Sequence, residues 1–194
     1  MVIGYHLIWT VYGWWLPNDP RGSSSHEIRV ERIADLGELH FGRKPVQPFP
    51  AELRRFYEQA RAMLRHESLT FTDEQIAVVG ASLGSVIRAR DYTCYACAVM
   101  PEHVHMLLRR HRDKSETMID QFQTATRNAI RECGAWPPDH PVWGGPGWKV
   151  FLNTRDDMYR IANYIDNNPR KAGRPAQAWE FVQKYQGWTP PFRR

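Results

Sequence analysis

At 194 residues and 22.7 kDa the chain is long enough for one domain with a buried core, and 42% hydrophobic against 24% charged residues is ordinary for a soluble globular protein. Three cysteines, Cys94, Cys97 and Cys133, exclude a disulfide framework and fit a reducing compartment, and no apolar run approaches membrane-spanning length. The net charge of +5 and the pI near 9.3 admit a polyanionic partner, although many mildly basic domains bind nothing acidic.

The stretch YHLIWTVYGWWL, over 5–16, is rich in aromatic and β-branched residues and predicts a first strand. A loop follows in PNDPRGSSS, and the chain stays poor in periodicity to residue 51, with room for one short element in RVERIADL. A connection of that length in a compact domain is functional or mobile. Leu53, Phe56, Tyr57, Ala60, Met63 and Leu64 recur at helical spacing, and so do Ile76, Val79, Leu83, Val86 and Ile87 after a cap region at Thr72. YTCYACAVM and HVHMLLRR read as two strands joined at Met100-Pro101-Glu102. Cys94 and Cys97 have redox or zinc spacing, but on a strand, residues three apart face opposite ways, and no second pair follows. The three cysteines are therefore expected to be buried structural residues. A helix opens at the capping residue Ser115, WKVFLN suits a short strand, and a last helix over 154–168 is bounded by Pro169 and Gly173. The order strand, helices, hairpin, helix, strand, helix predicts an α+β domain with a mostly antiparallel sheet. No leader segment opens the chain, so the expected address is the cytoplasm.

His103 and His105 lie two apart on the second hairpin strand and so share a face, roughly 7 Å apart along the chain. The pattern alone serves a packed, hydrogen-bonded pair as well as a metal or catalytic site. Two familiar uses fail at once. A lactamase-type metallohydrolase continues His-x-Asp-His where this chain has Met-Leu-Leu, and a histidine-triad hydrolase needs a histidine where Leu107 stands. Any third ligand must come from elsewhere. On the last helix Met158, Ile161, Ala162 and Ile165 form the core stripe, which puts Tyr164 and Asn168 together on one flank and Tyr159 on the other. Taken alone, Asn168 before a proline reads as a turn former and Tyr164 as a boundary aromatic.

Taken together, MPEHVHMLLRR, a helix and then YIDNNPRKAG resemble the single-tyrosine HUH transposases, among them the REP-associated tyrosine transposases and their insertion-sequence relatives. The opening YHLIWTVYGWWLPNDPRGS is similar to the start of one subgroup. The likeness covers the first strand, the hairpin and the last helix, and thins over 23–50 and after 174. It implies a ferredoxin-like (RRM-like) antiparallel sheet with helices packed on it; the chain is read as one domain over 1–194, departing from the family in a long loop insertion at 17–51 and a C-terminal tail at 175–194. It implies His103, His105 and Asn168 as metal ligands and Tyr164 as the nucleophile that attacks single-stranded DNA and keeps its 5′-phosphate.

A free phenol, with a pKa of about 10, is a poor nucleophile at neutral pH. It becomes useful against a phosphate polarised by a divalent ion, Mg²⁺ or Mn²⁺ before Zn²⁺, Ni²⁺ or Co²⁺. The implied partner is single-stranded or hairpin DNA, and no membrane; monomer and homodimer both stay open. Arg109, Arg110, Arg112 and Lys114 after the histidine strand, and Arg170, Lys171 and Arg174 after the last helix, are candidates for holding flanking phosphates, or are solvated loop charges. The competing readings are a domesticated protein that binds DNA or RNA hairpins without cutting, and a metal nuclease that uses water with Tyr164 structural. A pure binder has no need of all four residues.

Overall fold

The structure, a computed structural model, describes residues 1–28, 30–134 and 136–191. In chain order it contains β1 (Gly4–Thr10), α1 (Glu31–Ala34), α2 (Pro50–Met63), α3 (Asp73–Arg90), β2 (Cys94–Val99) and β3 (His103–Arg109). Then come α4 (Ser115–Glu132), β4 (Trp148–Leu152), α5 (Arg155–Asp166) and α6 (Asn168–Lys171). The four strands form one sheet in the order β2-β3-β1-β4, every neighbouring pair antiparallel. β1 and β2 therefore run the same way with β3 between them, which is the ferredoxin-like split β-α-β arrangement.

Alternation along the strands divides the core. Tyr5, Leu7, Trp9 and Val11 on β1 and its exit, with Val104, Met106 and Leu108 on β3, join Val79, Leu83, Ile87, Met118 and Phe122 of α3 and α4. The other face carries Ala96, Ala98, Leu107 and Leu152 against Met158, Ile161 and Ile165 of α5. α5 seats close because Gly4 has no side chain: a Cβ there would come within 2.5 Å of Met158 Sδ. Truncating a fully buried methionine such as Met158 to alanine costs roughly 2–5 kcal/mol. α5 covers only part of this face, and the uncovered part holds His6, Ile8, Thr10, His103 and His105.

The α+β antiparallel architecture agrees with the sequence expectation, and α3 has its capping box, Thr72 with Gln75. Several details differ. β1 ends at Thr10, not Leu16, because the chain turns through Gly13 (φ +86°) and Trp15 (φ +55°). Lys114, not Ser115, is the N-cap of α4; the Ser115 hydroxyl bonds Glu116 instead. Cys94 and Cys97 do not face opposite ways. A bulge between Cys94 and Ala96 shifts the register by one residue and turns both thiols into the α3–α4 core. Both are buried, whereas Cys133, at the exit of α4, is exposed. The last long helix, α5, ends at Asp166, before Pro169; Pro169 then lies in the first turn of the short α6, after which Gly173 takes a left-handed φ of +70°.

The stretch around α1 and α2 builds a small third core from Leu16, Phe56 and Ala60. The tail straps the β2 edge. The Gln177 side chain pairs with both backbone groups of Val99 (2.9 and 2.7 Å), and the Gln183 amide donates to the Cys94 carbonyl at 2.8 Å. No helix among the described residues is long and apolar enough to cross a membrane.

Candidate active site

Register brings the histidines together. On the half-covered face Thr10 pairs with His103, Ile8 with His105, and His6 with Leu107, so His6 and His105 are diagonal neighbours. Nε2 of His6 lies 3.0 Å from Nδ1 of His105. That contact occupies one nitrogen of His105 and leaves its Nε2 for a ligand. The His103 and His105 rings meet edge to face with centroids 4.8 Å apart. His6 was not among the residues that the sequence singled out, although a signal existed. In the alternation Tyr5, Leu7, Trp9, Val11, the intervening His6 points away from the main core.

α5 and α6 supply the other two residues. Thr154 caps α5 by accepting the Asp157 amide at 3.1 Å, and the apolar stripe fixes the rotation of the helix. Tyr164 then lies over the histidines, its ring centroid 5.5 Å from that of His105 and 6.1 Å from that of His6. Tyr164 is 40% exposed and lines the open cleft. Asn168 begins α6 and lines the same cleft as His103, whose proton affinity its side chain raises. Neighbouring Asn167 turns back and donates to the Asn163 carbonyl at 2.8 Å. Tyr159 faces elsewhere and packs on Tyr185 at 4.9 Å. His103, His105, Tyr164 and Asn168 thus line a single cleft of about 750 Å³, within the usual range for ligand sites.

The far wall comes from the segment after β1, through Trp14, Trp15, Arg21 and Arg43, with Arg160 of α5 at the rim. None of these cleft residues was singled out by sequence: the segment after β1 is irregular and offers no periodicity to read, and Arg160 is one of several charges on the polar face of α5. Of the basic residues that were, only Lys171 reaches the site, its ammonium 5.4 Å from the Tyr164 ring centroid. Arg170 is exposed outside the cleft lining, and Arg174 pairs with Asp73. Arg109, Arg110, Arg112 and Lys114 leave from the other end of β3, roughly 20 Å from His103 by strand rise, and Arg109 stacks on Trp188 at 3.4 Å.

Burial holds all three imidazoles below their ordinary proton affinity. His6 drops from 6.5 to about 4, mainly by burial with Arg160 adding to it. His105 falls well below 6.5 for the same reason, helped by His103 and His6. His103 is lowered less simply: burial wins, while Glu102 and Asn168 pull upward and Arg21 pushes down again. Between pH 6.5 and 4 the unfolded chain binds protons that the folded chain refuses, so stability falls as the pH is lowered through this window. The urea midpoint of chelator-treated protein is expected to drop between pH 7 and pH 4.5, and less so in His6→Asn. A His6→Asn profile parallel to the parent's would contradict a buried neutral His6.

Among the described residues no three His, Cys, Asp or Glu side chains cluster for a metal. The candidate donor set is different in kind: two neutral imidazoles, with Nε2 of His105 outside its contact with His6, and the Asn168 amide beside them in the cleft lining. Neutral imidazoles and an amide oxygen suit a divalent cation, and open sides toward the cleft leave room for phosphate oxygen and water.

No family model matches the chain, and no curated protein matches it. Among solved structures it is similar to a REP-associated tyrosine transposase bound to a REP hairpin, at 13% identity and a TM-score of 0.47, over 88% of this chain and 68% of that one. It is also similar to a chain from Deinococcus radiodurans described as a candidate transposase, at 14% identity and a TM-score of 0.44, over 86% of this chain and 91% of that one.

Proposed function

We propose that the chain cuts and rejoins single-stranded DNA as a transposase of the HUH type, holding the broken strand on Tyr164 as a 5′-phosphotyrosine. The observation that carries this reading is the convergence of His103 and His105 on β3 with Tyr164 and Asn168 on α5 and α6 in one open cleft. The family resemblance of the motifs had implied the same four residues.

Each residue has a defined task. Tyr164 Oη forms the new bond to phosphorus as the bond to the 3′ oxygen breaks; the phenol gives up a proton and the departing 3′ oxygen takes one up. The phosphodiester energy stays in the phosphotyrosine, so a 3′-hydroxyl of another strand reverses the step without a nucleotide cofactor. A divalent ion, Mg²⁺ or Mn²⁺, held by His103, His105 and Asn168 would draw charge from a phosphate oxygen. His6 fixes the orientation of His105 through its ring nitrogen, and the Lys171 ammonium over the Tyr164 ring adds positive charge where a phosphate must lie. The proposed substrate is single-stranded DNA beside a hairpin-forming repeat, as the motif resemblance implies.

The test is a denaturing gel of the intact chain incubated with labelled single-stranded DNA and Mn²⁺. A slow-migrating protein–DNA adduct is expected, sensitive to protease. Cleaved product without adduct points to a water nuclease, and binding with neither product nor adduct points to a hairpin-binding protein; either result overturns the proposal.

A further inference from the structure

We infer that Trp15 and Arg21 form a nucleotide-holding wall of the cleft, the indole stacking one base of the bound strand and the guanidinium taking the adjacent phosphate. This rests on the single-strand reading above and names how the same cleft grips its substrate.

The wall is assembled with care that the small neighbouring core does not require. Trp15 takes the left-handed backbone conformation (φ +55°), which bulky side chains adopt rarely and at a cost, typically at functional positions. Its backbone amide donates to the Tyr57 hydroxyl at 2.7 Å, and its indole N–H donates to the Gly22 carbonyl at 2.7 Å. The Arg21 guanidinium lies 3.9 Å from the Trp15 ring centroid. Nε and one amino group of Arg21 donate to the two oxygens of Asp19, each at 2.8 Å, and the Tyr57 hydroxyl donates to the same carboxylate. Asp19 is only 1% exposed. A buried ion pair is a poor way to stabilise a loop, since apolar residues of similar volume do as well or better. What the network does achieve is to fix a planar cation and an aromatic ring at the rim of the cleft.

Their placement fits a nucleotide. Trp15 remains 37% exposed, and both residues line the cleft that holds Tyr164. The positive charge of Arg21 is close enough to lower the proton affinity of His103. The second amino group of Arg21 has no hydrogen-bond partner among the described residues, which leaves it two N–H donors for a phosphate oxygen. Farther along the same segment, Arg43 also lines the cleft, and Phe41, 57% exposed, stacks on His26 at 4.2 Å. Within the cleft itself Trp14 and Trp15 lie beside Arg21 and Arg43, and rings interleaved with cations suit a single strand, whose bases all present a π face.

The test measures equilibrium binding by fluorescence anisotropy in the full chain carrying Tyr164→Phe, which prevents capture of the strand. Two labelled probes of equal length are used: an oligothymidylate, and an abasic oligonucleotide with the same phosphates and no bases. Trp15→Ala is expected to weaken oligothymidylate binding about tenfold and leave the abasic probe unchanged, with Trp15→Phe restoring most of the loss. Arg21→Gln is expected to weaken both probes and to reduce the slope of affinity against salt by about one. Unchanged oligothymidylate affinity in Trp15→Ala overturns the stacking role and leaves the single-strand reading in place. Equal loss on both probes also overturns it, since Trp15 then only supports the loop. If the Tyr164→Phe chain binds neither probe, the single-strand reading fails and the wall with it.

Discussion

Tyr164→Phe is expected to abolish the covalent adduct completely while holding single-stranded DNA nearly as well as the parent chain. The substitution removes one oxygen and keeps the ring, so the edge-to-face contact with His105 at 5.5 Å and the Lys171 contact at 5.4 Å persist. Without the hydroxyl no phosphorus–oxygen bond forms, so the loss is total and not a matter of rate. Tyr159→Phe is the matched control. Tyr159 is also exposed and lies on the same helix, but its ring packs on Tyr185 on the flank away from the histidines. That variant should form adduct at the parent rate. An adduct from Tyr164→Phe and none from Tyr159→Phe would show that the helix presents the other phenol to the DNA.

The difference between these two tyrosines was legible in the sequence because a helix has a fixed period. Met158, Ile161 and Ile165 define the buried stripe, and Tyr164 and Tyr159 then fall on opposite flanks whatever else the fold does. The same holds for His103 and His105, which a strand must place on one face. Features that arise from pairing between segments were not legible. The bulge that turns Cys94 and Cys97 to one side is a mismatch between β2 and β3, and neither strand alone encodes it. His6 reaches His105 only through the β1–β3 register. The basic run after the histidine strand looked adjacent to the site in sequence. An extended strand of seven residues carries it to the far end of the sheet. The wall formed by Trp15 and Arg21 depends on Asp19 and Tyr57, which come from a loop and from α2. No local pattern joins those positions.

His103→Ala and His105→Ala are expected to lose DNA cleavage and the response to Mn²⁺ together, while the sheet and its helices remain folded. Each removes a proposed ligand, so metal affinity should weaken at least as much as the roughly 10–100-fold typical of residues that merely support a ligand. Asn168 decides whether the third donor is correctly placed. It is the first residue of α6, and the N-cap position is taken by Asn167, so the Asn168 amide does not occupy the capping position. It lines the cleft with His103 and raises that imidazole's proton affinity. Asn168→Ala should therefore shift the Mn²⁺ dependence of cleavage to higher concentration and move the thermal midpoint little. Asn167→Ala should do the opposite, because its amide bonds the Asn163 carbonyl and holds the last turn of α5. The measurement is cleavage against Mn²⁺ concentration for the four variants, beside direct Mn²⁺ binding by calorimetry and thermal melts. If Asn168→Ala titrates like the parent, the amide is only a hydrogen-bond partner that steadies His103, and the third donor lies elsewhere in the cleft. If cleavage in EDTA matches the rate with metal, the histidines serve the phosphate directly and no ion assists Tyr164.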